Sequence, residues 1–259
     1  MSTTVKEIYD FIDAIAPFRT QESWDNSGFL VGDASKEVRK VAVCLDVTHD
    51  TLDQAAAFGA DLLVSHHPVI FHAVKGLREQ TPGTESIVYE AVRKDIAVLS
   101  AHTCWDMAEG GVNDVLATLC GLEDIEGIVP DENGNCMLRV GSLKTPVPAE
   151  EYADVVAETL GTLVRLTLPE KMVQRVAVCG GAGASFLPDL ADLGIDAFLT
   201  GDAKHNDFLD SIDYDISLLA AGHYETETVS MPVLMELLKQ EFPELEYTYL
   251  ESAPVVYIG

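Results

Sequence analysis

A stretch of 21 residues occurs twice in the chain and constrains its fold more than any other feature. Residues 41–61 read VAVCLDVTHDTLDQAAAFGAD, residues 176–196 read VAVCGGAGASFLPDLADLGID, and the two align without a gap at eight identical positions. Each copy begins with an apolar strand, enters a helix and reaches a glycine, Gly59 or Gly194, of the kind that commonly ends a helix. The repeat therefore predicts two related α/β halves, although βαβ units of shared composition can also look alike by coincidence.

Further apolar strands follow each copy. The runs DLLVS and DAFLT come directly after the helix, and IAVLSAH (96–102) and ISLLAAGH (216–223) supply a third strand in each half. Strands that alternate with helices at this spacing predict largely parallel or mixed sheets. The strands show no polar alternation, which is typical of sheets covered by helices on both faces. A helix at about 227–242 and two strands, EYTYLES and PVVYIG, close the chain and can return to the first sheet.

The limits of the two halves are predicted from one polar stretch. Residues 121–135, GLEDIEGIVPDENGN, contain proline and glycine and mark a candidate boundary. We therefore predict a first half made of residues 1–125 together with about 227–259, and a second half made of residues 126–226.

The charge of the chain limits its partners. It has 16 basic against 43 acidic residues and a formal net charge of −27. Binding to nucleic acid requires lysine and arginine to neutralise phosphates, so we do not expect a nucleic-acid partner. The acidic surface either keeps the protein soluble or reflects a cytoplasm of high salt, where screening weakens self-repulsion.

The compartment is predicted from what the sequence does not contain. There is no run of 18 apolar residues and no basic, then apolar, N-terminal segment, so we expect neither a membrane span nor a signal peptide. Five scattered cysteines without paired spacing are typical of thiols in a reducing compartment. These features together predict a cytoplasmic protein.

Chemically capable side chains gather where the predicted strands end. His66 and His67 follow one strand, His102 and Asp106 follow the next, and other strands end close to Asp46, to Asp202 and His205, or to His223 and Glu227. In α/β sheets, ligands bind outside the carboxyl ends of the strands. A lone histidine at such an end is usually a hydrogen-bonded structural residue, but this many groups at one kind of position favour a metal site.

The adjacent histidines suggest a site with two ions. Neighbouring side chains of a regular strand point to opposite faces, but the chain can turn at the strand's end, and Pro68 biases His67 away from helical geometry. The two imidazoles can then diverge around ions roughly 3.5–4 Å apart. His223 and Glu227 are four residues apart, and the two oxygens of Glu227 can bridge two ions. Asp46 and Asp202 can each either cap a helix or orient a ligand.

The glycine run GGAGAS (180–185) allows two interpretations. Its amides can cradle a phosphate at a helix N-terminus, or the glycines can simply permit a tight turn. Phe186 stands where the third glycine of GxGxxG would be, so the tight turn is favoured.

Five stretches of the chain resemble the NIF-three-like dinuclear metal-centre family, whose members carry the name GTP cyclohydrolase 1 type 2 homologue. They are WDNSGFLVG (24–32), SHHPVIF (65–71), AHTCWDMAEGGVND (101–114), TGDAKHNDFLD (200–210) and GHYETE (222–227). The chain is similar to the short form of the family, which lacks a central inserted domain. It departs from the family at Cys104–Trp105 inside HTxxD, where Asn-Leu or a similar pair is expected.

The resemblance implies a site with two divalent ions per chain. Its ligands would be His66, His67, Asp106, His223 and Glu227, with Glu227 as the bridge. Imidazole with carboxylate suits zinc, iron, manganese or nickel and does not choose among them. The family further implies a ring-shaped homohexamer whose metal sites face an internal cavity.

The function implied is a metal-dependent hydrolase, of the GTP cyclohydrolase type by resemblance. The substrate would be a nucleotide or a related phosphorylated or cyclic-amide small molecule. His102 is the candidate proton donor or acceptor, and Asn26, Asp46 and His205 are the candidate substrate-binding residues. Two alternatives stay open, which are a mononuclear enzyme that uses part of the ligand set and a non-enzymatic metal-binding ring that acts as regulator or scaffold.

Overall fold

The computed structural model describes residues 2–79, 82–253 and 255. The α-helices are α1 Val5–Ile15, α2 His49–Phe58, α3 Thr84–Arg93, α4 Thr103–Met107, α5 Val112–Leu119, α6 Ala149–Leu160, α7 His205–Asp213, α8 His223–Thr228 and α9 Met231–Glu241. The strands are β1 Gly28–Val31, β2 Lys40–Cys44, β3 Leu62–Ser65, β4 Ala97–Ser100, β5 Glu123–Ile128, β6 Leu138–Pro148, β7 Arg165–Leu166, β8 Met172–Cys179, β9 Ala197–Thr200, β10 Ser217–Ala220 and β11 Glu246–Leu250. Two 3-10 helices span Phe18–Thr20 and Gly183–Leu190. No helix within the described ranges has the length and apolar character needed to cross a membrane.

The chain forms two compact units. Unit 1 contains the described residues from 2 to 109 and from 231 to 253, and unit 2 contains those from 110 to 230 together with residue 255. Each unit has one sheet covered by helices, which confirms the predicted α/β class with parallel and mixed sheets. The boundaries proposed from the sequence, at residue 125 and at about residue 227, stay a prediction.

The sheet of unit 1 has the strand order β1-β4-β3-β2-β11. Strands β2, β3, β4 and β11 run parallel, and β1 pairs antiparallel with β4 at the edge. Strand β11 comes from the end of the chain and lies beside β2, so the expected return to the first sheet is confirmed. Parallel strands place their carboxyl ends at one edge of the sheet, and His66 and His102 follow β3 and β4 at that edge.

Both faces of this sheet are buried. Successive side chains of a strand point to opposite faces, so burial of successive residues shows that each face is covered. Cys44, Leu63 and Val98 belong to one cluster with Leu52 of α2 and Val88 of α3. The intervening residues of the same strands are also fully buried, and they are Val41, Val43, Leu62, Val64 and Leu99. Strands that are buried on both faces consist of apolar residues without polar alternation, as these strands do.

The sheet of unit 2 has the strand order β5-β6-β8-β9-β10-β7. Its centre, β8, β9 and β10, is parallel, and the flanking strands are antiparallel, which makes the sheet mixed. Helices α5 and α6 contribute Leu116, Tyr152 and Val156 to the core on one face. The 3-10 helix Gly183–Leu190 and Phe208 of α7 cover the other face.

The backbone contains the repeat predicted from the sequence. Val41 lies beside Leu62 in unit 1 and Val176 lies beside Ala197 in unit 2, so both strand pairs have the same register. Asp61 accepts hydrogen bonds from the amides of residues 39 and 40 at 2.8 and 3.1 Å. Asp196 accepts from the amides of residues 174 and 175 at 3.0 and 2.8 Å. The two units therefore share local hydrogen bonds as well as the register of these strand pairs.

Two local predictions were wrong, and a third falls almost entirely outside the described residues. The single helix expected at about 227–242 is two helices, α8 and α9, because Pro232 has no amide hydrogen and clashes with the preceding turn. The helix of the second copy is a 3-10 helix that contains Pro188 and ends at Leu190, not at Gly194. The predicted strand PVVYIG lies outside the described residues except for Val255, which is not in a strand.

Candidate metal centre

Three histidines of unit 1 form a cluster, called here the histidine cluster and made of His66, His67 and His102. One ring nitrogen from each lies within 4.8 Å of those of the others. The ring centroids are 5.0 Å apart for His66 and His67, and 5.1 and 5.3 Å from these two rings to His102. Side chains that follow two neighbouring strands have therefore been brought to one place.

Two buried serines produce the turn that separates the adjacent histidines. The Ser65 hydroxyl donates to the carbonyl of His67 at 2.9 Å and lies 2.8 Å from the Ser100 hydroxyl. The chain leaves strand β3 at this point, and the two imidazole planes are tilted by 49°. His66 is fully buried, whereas His67 is partly exposed. The adjacent pair thus presents two rings to the same region without belonging to a regular strand.

Each histidine of the cluster has its Nδ1 atom bound to an oxygen. His66 Nδ1 lies 2.9 Å from the carbonyl of Ala101, and His67 Nδ1 lies 2.7 Å from the Asp46 carboxylate. His102 Nδ1 lies 2.8 Å from the carboxylate of Asp25. Because these oxygens accept, the ring proton resides on Nδ1, and a neutral ring keeps its lone pair on Nε2. Histidine ligands of metals are commonly oriented in this way.

Asp25 is a site residue that the sequence analysis missed. Its buried carboxylate accepts from His102, from the Thr103 hydroxyl and amide, and from the Ser27 hydroxyl. Burial acts to raise the pKa of this carboxyl, but the hydrogen bond and charge of His102 and the bond from Thr103 outweigh it and hold the pKa well below its usual range. The only sequence signal was its place next to Asn26 in the WDNSG motif.

Asp106 lies on helix α4 and faces the histidine cluster. Its Oδ1 atom is 3.5 Å from His66 Nε2, and the residue is buried. The neighbouring Cys104 and Trp105, where the sequence departs from the family motif, are buried in the same short helix. Burial raises the pKa of the Cys104 thiol to about 12, so the thiol stays protonated near neutral pH. Asp106 is the metal-ligand candidate of this helix, because its carboxylate faces His66 Nε2.

Unit 2 contributes a second group, made of His223, Glu227 and Asp202. His223 begins helix α8, and Glu227 lies one turn later on the same face, with 3.1 Å between His223 Nε2 and Glu227 Oε2. Asp202 binds His223 Nδ1 at 2.8 Å, so it orients a histidine. Glu227 thus lies inside α8, and the last helix, α9, begins at Met231.

The glycine run holds this second group in place. The amides of Gly180, Gly181 and Gly183 donate to Asn113, Thr226 and Thr200 at 2.8, 3.0 and 3.0 Å. These bonds favour the tight turn over a phosphate cradle because the amides are already used. Thr226 therefore ties the glycine run to helix α8, whose N-cap is Gly222.

The candidate substrate-binding residues occupy different places. Asp46 orients His67, as described above. Asn26 is exposed and donates from Nδ2 to the carbonyl of Ile70 at 2.6 Å. His205 is exposed and begins helix α7 of unit 2. Their contact with a substrate stays a prediction.

The donor chemistry of both groups fits a divalent metal. His66 and His223 donate from Nδ1, and yet their Nε2 atoms face the carboxylates of Asp106 and Glu227. A neutral imidazole has only one N–H, so the lone pair of Nε2 faces the lone pairs of the carboxylate oxygen. This arrangement is favourable only if the ring gains a second proton or a cation lies near both atoms. Imidazole nitrogen with carboxylate oxygen is a set that zinc, iron, manganese and nickel accept.

Comparison with known proteins gives relatives along most of the chain. The model of the family Duf34/NIF3 (NGG1p interacting factor 3) matches residues 3–254. A protein of Nostoc sp. (strain PCC 7120) is 38% identical over 207 residues, which are 78% of this chain and 78% of that protein. A protein of Streptomyces coelicolor is 35% identical over 232 residues, which are 86% and 81% of the two chains. Both relatives carry the name GTP cyclohydrolase 1 type 2 homolog.

A solved structure is also similar. The crystal structure of the Staphylococcus aureus hypothetical protein SA1388 has a TM-score of 0.92 and 25% sequence identity, and the match covers 100% of both chains. This likeness agrees with the two helix-covered sheets described above.

The contact between Gly181 and Glu227 leads to a first prediction. A Cβ atom at Gly181 would collide with Glu227 Oε1 and lie 3.3 Å from His223 Nε2, and φ is +59°. We expect Gly181→Ala to lower the free energy of unfolding by ~2–4 kcal/mol, from backbone strain and overpacking together. Denaturant unfolding of purified protein measures this loss.

Gly161→Ala is the matched control for this substitution. Gly161 has a similar φ of +64° but open space around its position among the described residues. It should lose only the ~1 kcal/mol that the backbone strain costs. Equal losses in the two variants would contradict the close contact between Gly181 and Glu227.

Proposed function

We propose, on the premise that the chain belongs to the Duf34/NIF3 family, that it is a hydrolase dependent on a dinuclear metal centre. The family match confirms the resemblance found in the sequence motifs. The substrate proposed is a small molecule, namely a nucleotide or a related phosphorylated or cyclic-amide compound. The relatives' name, GTP cyclohydrolase 1 type 2 homolog, supports this class of substrate.

One observation carries the proposal. Four histidines, three in unit 1 and one in unit 2, have their Nδ1 atoms bound to fixed oxygen atoms at 2.7 to 2.9 Å. Three of these oxygens are carboxylates, which hold the ring more firmly and raise the basicity of the opposite nitrogen. A histidine held at Nδ1 presents Nε2, which is typical of metal ligands such as the proposed His66, His67 and His223. The same arrangement suits a proton carrier, which is the role proposed for His102.

The proposed ligands are His66, His67, Asp106, His223 and Glu227. Support comes from the chemistry of each group within its own unit and from the motifs SHHP, HTxxD and GHxxTE that carry these residues. Glu227 is assigned the bridging role because a carboxylate offers two oxygens. Five protein ligands leave open positions on two ions, and open positions are typical of catalytic rather than structural sites.

The proposed reaction divides its chemistry between the ions, which would activate water, and His102 with Asp25, which would transfer protons. Divalent ions bound here would lower the pKa of water and polarise a phosphoryl or C–N bond. His102 is assigned the role of proton carrier at Nε2 because its Nδ1 is held by Asp25. The Asp25 carboxylate stabilises the imidazolium that forms when Nε2 takes a proton, and it keeps the ring in one tautomer.

The family also supports a proposed assembly, a ring-shaped homohexamer whose metal sites face an internal cavity. The second prediction is therefore a native mass of six copies of the 28.0 kDa chain, measured by light scattering or native mass spectrometry. A mass that matches one or two copies at micromolar concentration would contradict the hexamer.

The third prediction concerns metal content. Protein purified without chelator or affinity metal should hold about two divalent ions per chain, and Glu227→Ala should hold fewer because the bridge is lost. Elemental analysis measures both. Glu225→Ala is the matched control, since Glu225 lies on the same helix and is not a proposed ligand.

The alternatives give different metal contents. One ion per chain, unchanged in Glu227→Ala, would replace the bridged site with a mononuclear one. No bound metal even after reconstitution would refute the metal centre, and the oriented histidines would then be structural.

The fourth prediction concerns turnover. Metal-loaded protein should hydrolyse a member of a nucleotide pool, and His102→Asn should lower kcat ~10²- to 10⁴-fold with metal content unchanged, because only the proton carrier is removed. Chromatography of the reaction mixtures follows the products, and Glu227→Gln serves as an inactive reference. His49→Asn is the control, because His49 begins helix α2 and contacts Ser86 and Glu90. Two bound ions without turnover on any pool would favour the non-enzymatic metal-binding ring.

A further inference from the structure

Two exposed aromatic rings stand next to the histidine cluster. Trp24 is 56% exposed and Phe71 is 40% exposed, and their ring centroids are 5.8 Å apart. Both rings meet the imidazole of His102 edge-on, at 5.9 and 6.3 Å between centroids and with interplanar angles of 73°. The pair thus borders the residue assigned as proton carrier.

This exposure is unusual within the chain. Among the described residues, the large exposed apolar side chains include three aromatic ones, Trp24, Phe71 and Tyr214. Aromatic rings gain most from burial, so rings left in water next to a cluster of polar groups are typical of a binding surface. Two of the three exposed rings lie together, and both lie beside His102.

The loop that carries Trp24 is fixed to the residue that precedes Phe71. Asn26 donates from its side chain to the carbonyl of Ile70 at 2.6 Å. The same loop is closed by Gln21, whose side-chain oxygen accepts from the Ser27 amide at 2.7 Å. These bonds connect the two chain segments that carry the rings before any ligand arrives, and such preorganisation lowers the entropy lost on binding. Asn26, predicted as a substrate-binding residue, would act here by positioning the rings.

We propose that Trp24 and Phe71 form a stacking surface for a planar heteroaromatic ring, such as a nucleobase, and hold that ring beside His102. The inference rests on the proposed function and names the part of the substrate that is recognised. A base stacked on an aromatic side chain gains ~5- to 150-fold in affinity, largely independent of which base it is. The net charge of −27 repels free phosphate at long range. The uncharged ring of a nucleotide is therefore the part that this protein can bind without long-range repulsion.

The two tryptophans of the chain make the proposal directly measurable. Trp24 is exposed, whereas Trp105 is only 1% exposed, so a ligand in solution affects the fluorescence of Trp24. The fifth prediction is that guanosine quenches the emission of zinc-loaded and metal-free protein in a saturable way. Ribose 5-phosphate, which has no aromatic ring, should leave the emission unchanged.

Substitutions then test each ring. Phe71→Leu, followed by the fluorescence of Trp24, should weaken guanosine binding by ~5-fold or more. Trp24→Leu, followed by calorimetry, should do the same, whereas Trp24→Phe should stay within ~3-fold of the unchanged protein because a ring is kept. Tyr214→Leu removes the third exposed ring, in unit 2, and should have no effect. The side chains are exposed, and an unchanged Tm would show that each variant is folded.

The outcomes separate this inference from the proposed function. Guanosine binding that depends on Trp24 and Phe71, without turnover of any nucleotide, phosphorylated or cyclic-amide compound, would support the stacking surface and refute the hydrolase. Metal-dependent turnover of nucleotides that is unchanged in Trp24→Leu and Phe71→Leu would refute the stacking surface alone. The stacking surface is also overturned if guanosine does not bind saturably or if ribose 5-phosphate binds equally well.

Discussion

A hydrogen bond from the Nδ1 atom of each imidazole to a fixed oxygen is the interaction on which the candidate centre depends. It sets the tautomer and the direction of Nε2 at once, so a single bond decides both the donor atom and where it points. Three of the four oxygens come from Asp25, Asp46 and Asp202, each of which lies at or near the end of a strand or in a connecting loop. Three aspartates of the chain thus orient histidines within their own units.

The repeated backbone places comparable groups at comparable positions within each of the two units. The strands and registers correspond at a spacing of 135 residues, and so do the hydrogen bonds of Asp61 and Asp196. At the same spacing, His66 and His67 of unit 1 correspond to Gly201 and Asp202 of unit 2. One unit therefore places two imidazoles at the end of its second strand. Unit 2 has Asp202 at the end of its own second strand, and this carboxylate orients His223, which follows the third strand of the same unit.

The glycines around the second group leave space for its side chains, because a Cβ atom at these positions would occupy that space. Gly181 leaves room for Glu227, and Gly201 lies against the carbonyl of Gly181 and the hydroxyl of Thr226. The hydrogen bond from the Gly181 amide to Thr226 ties the glycine turn to helix α8. The glycine run GGAGAS (180–185) thus leaves room for the Glu227 carboxylate and binds helix α8. The family match and the oriented histidines together support metal binding in this chain.

The sequence by itself determined the repeat, its parallel strands and the candidate ligands, because apolar runs, strand ends and short motifs are local properties. It placed Asp46 and Asp202 near histidines but left their roles open, and it predicted one helix where Pro232 divides the segment into α8 and α9. Only the tertiary structure decided that Asp25 holds His102, since 77 residues separate them. Their contact depends on the antiparallel pairing of β1 with β4, in which Gly28 lies beside Ser100 and carries the preceding loop to the histidine. Such a pairing is set by packing of the whole sheet, which no local pattern records.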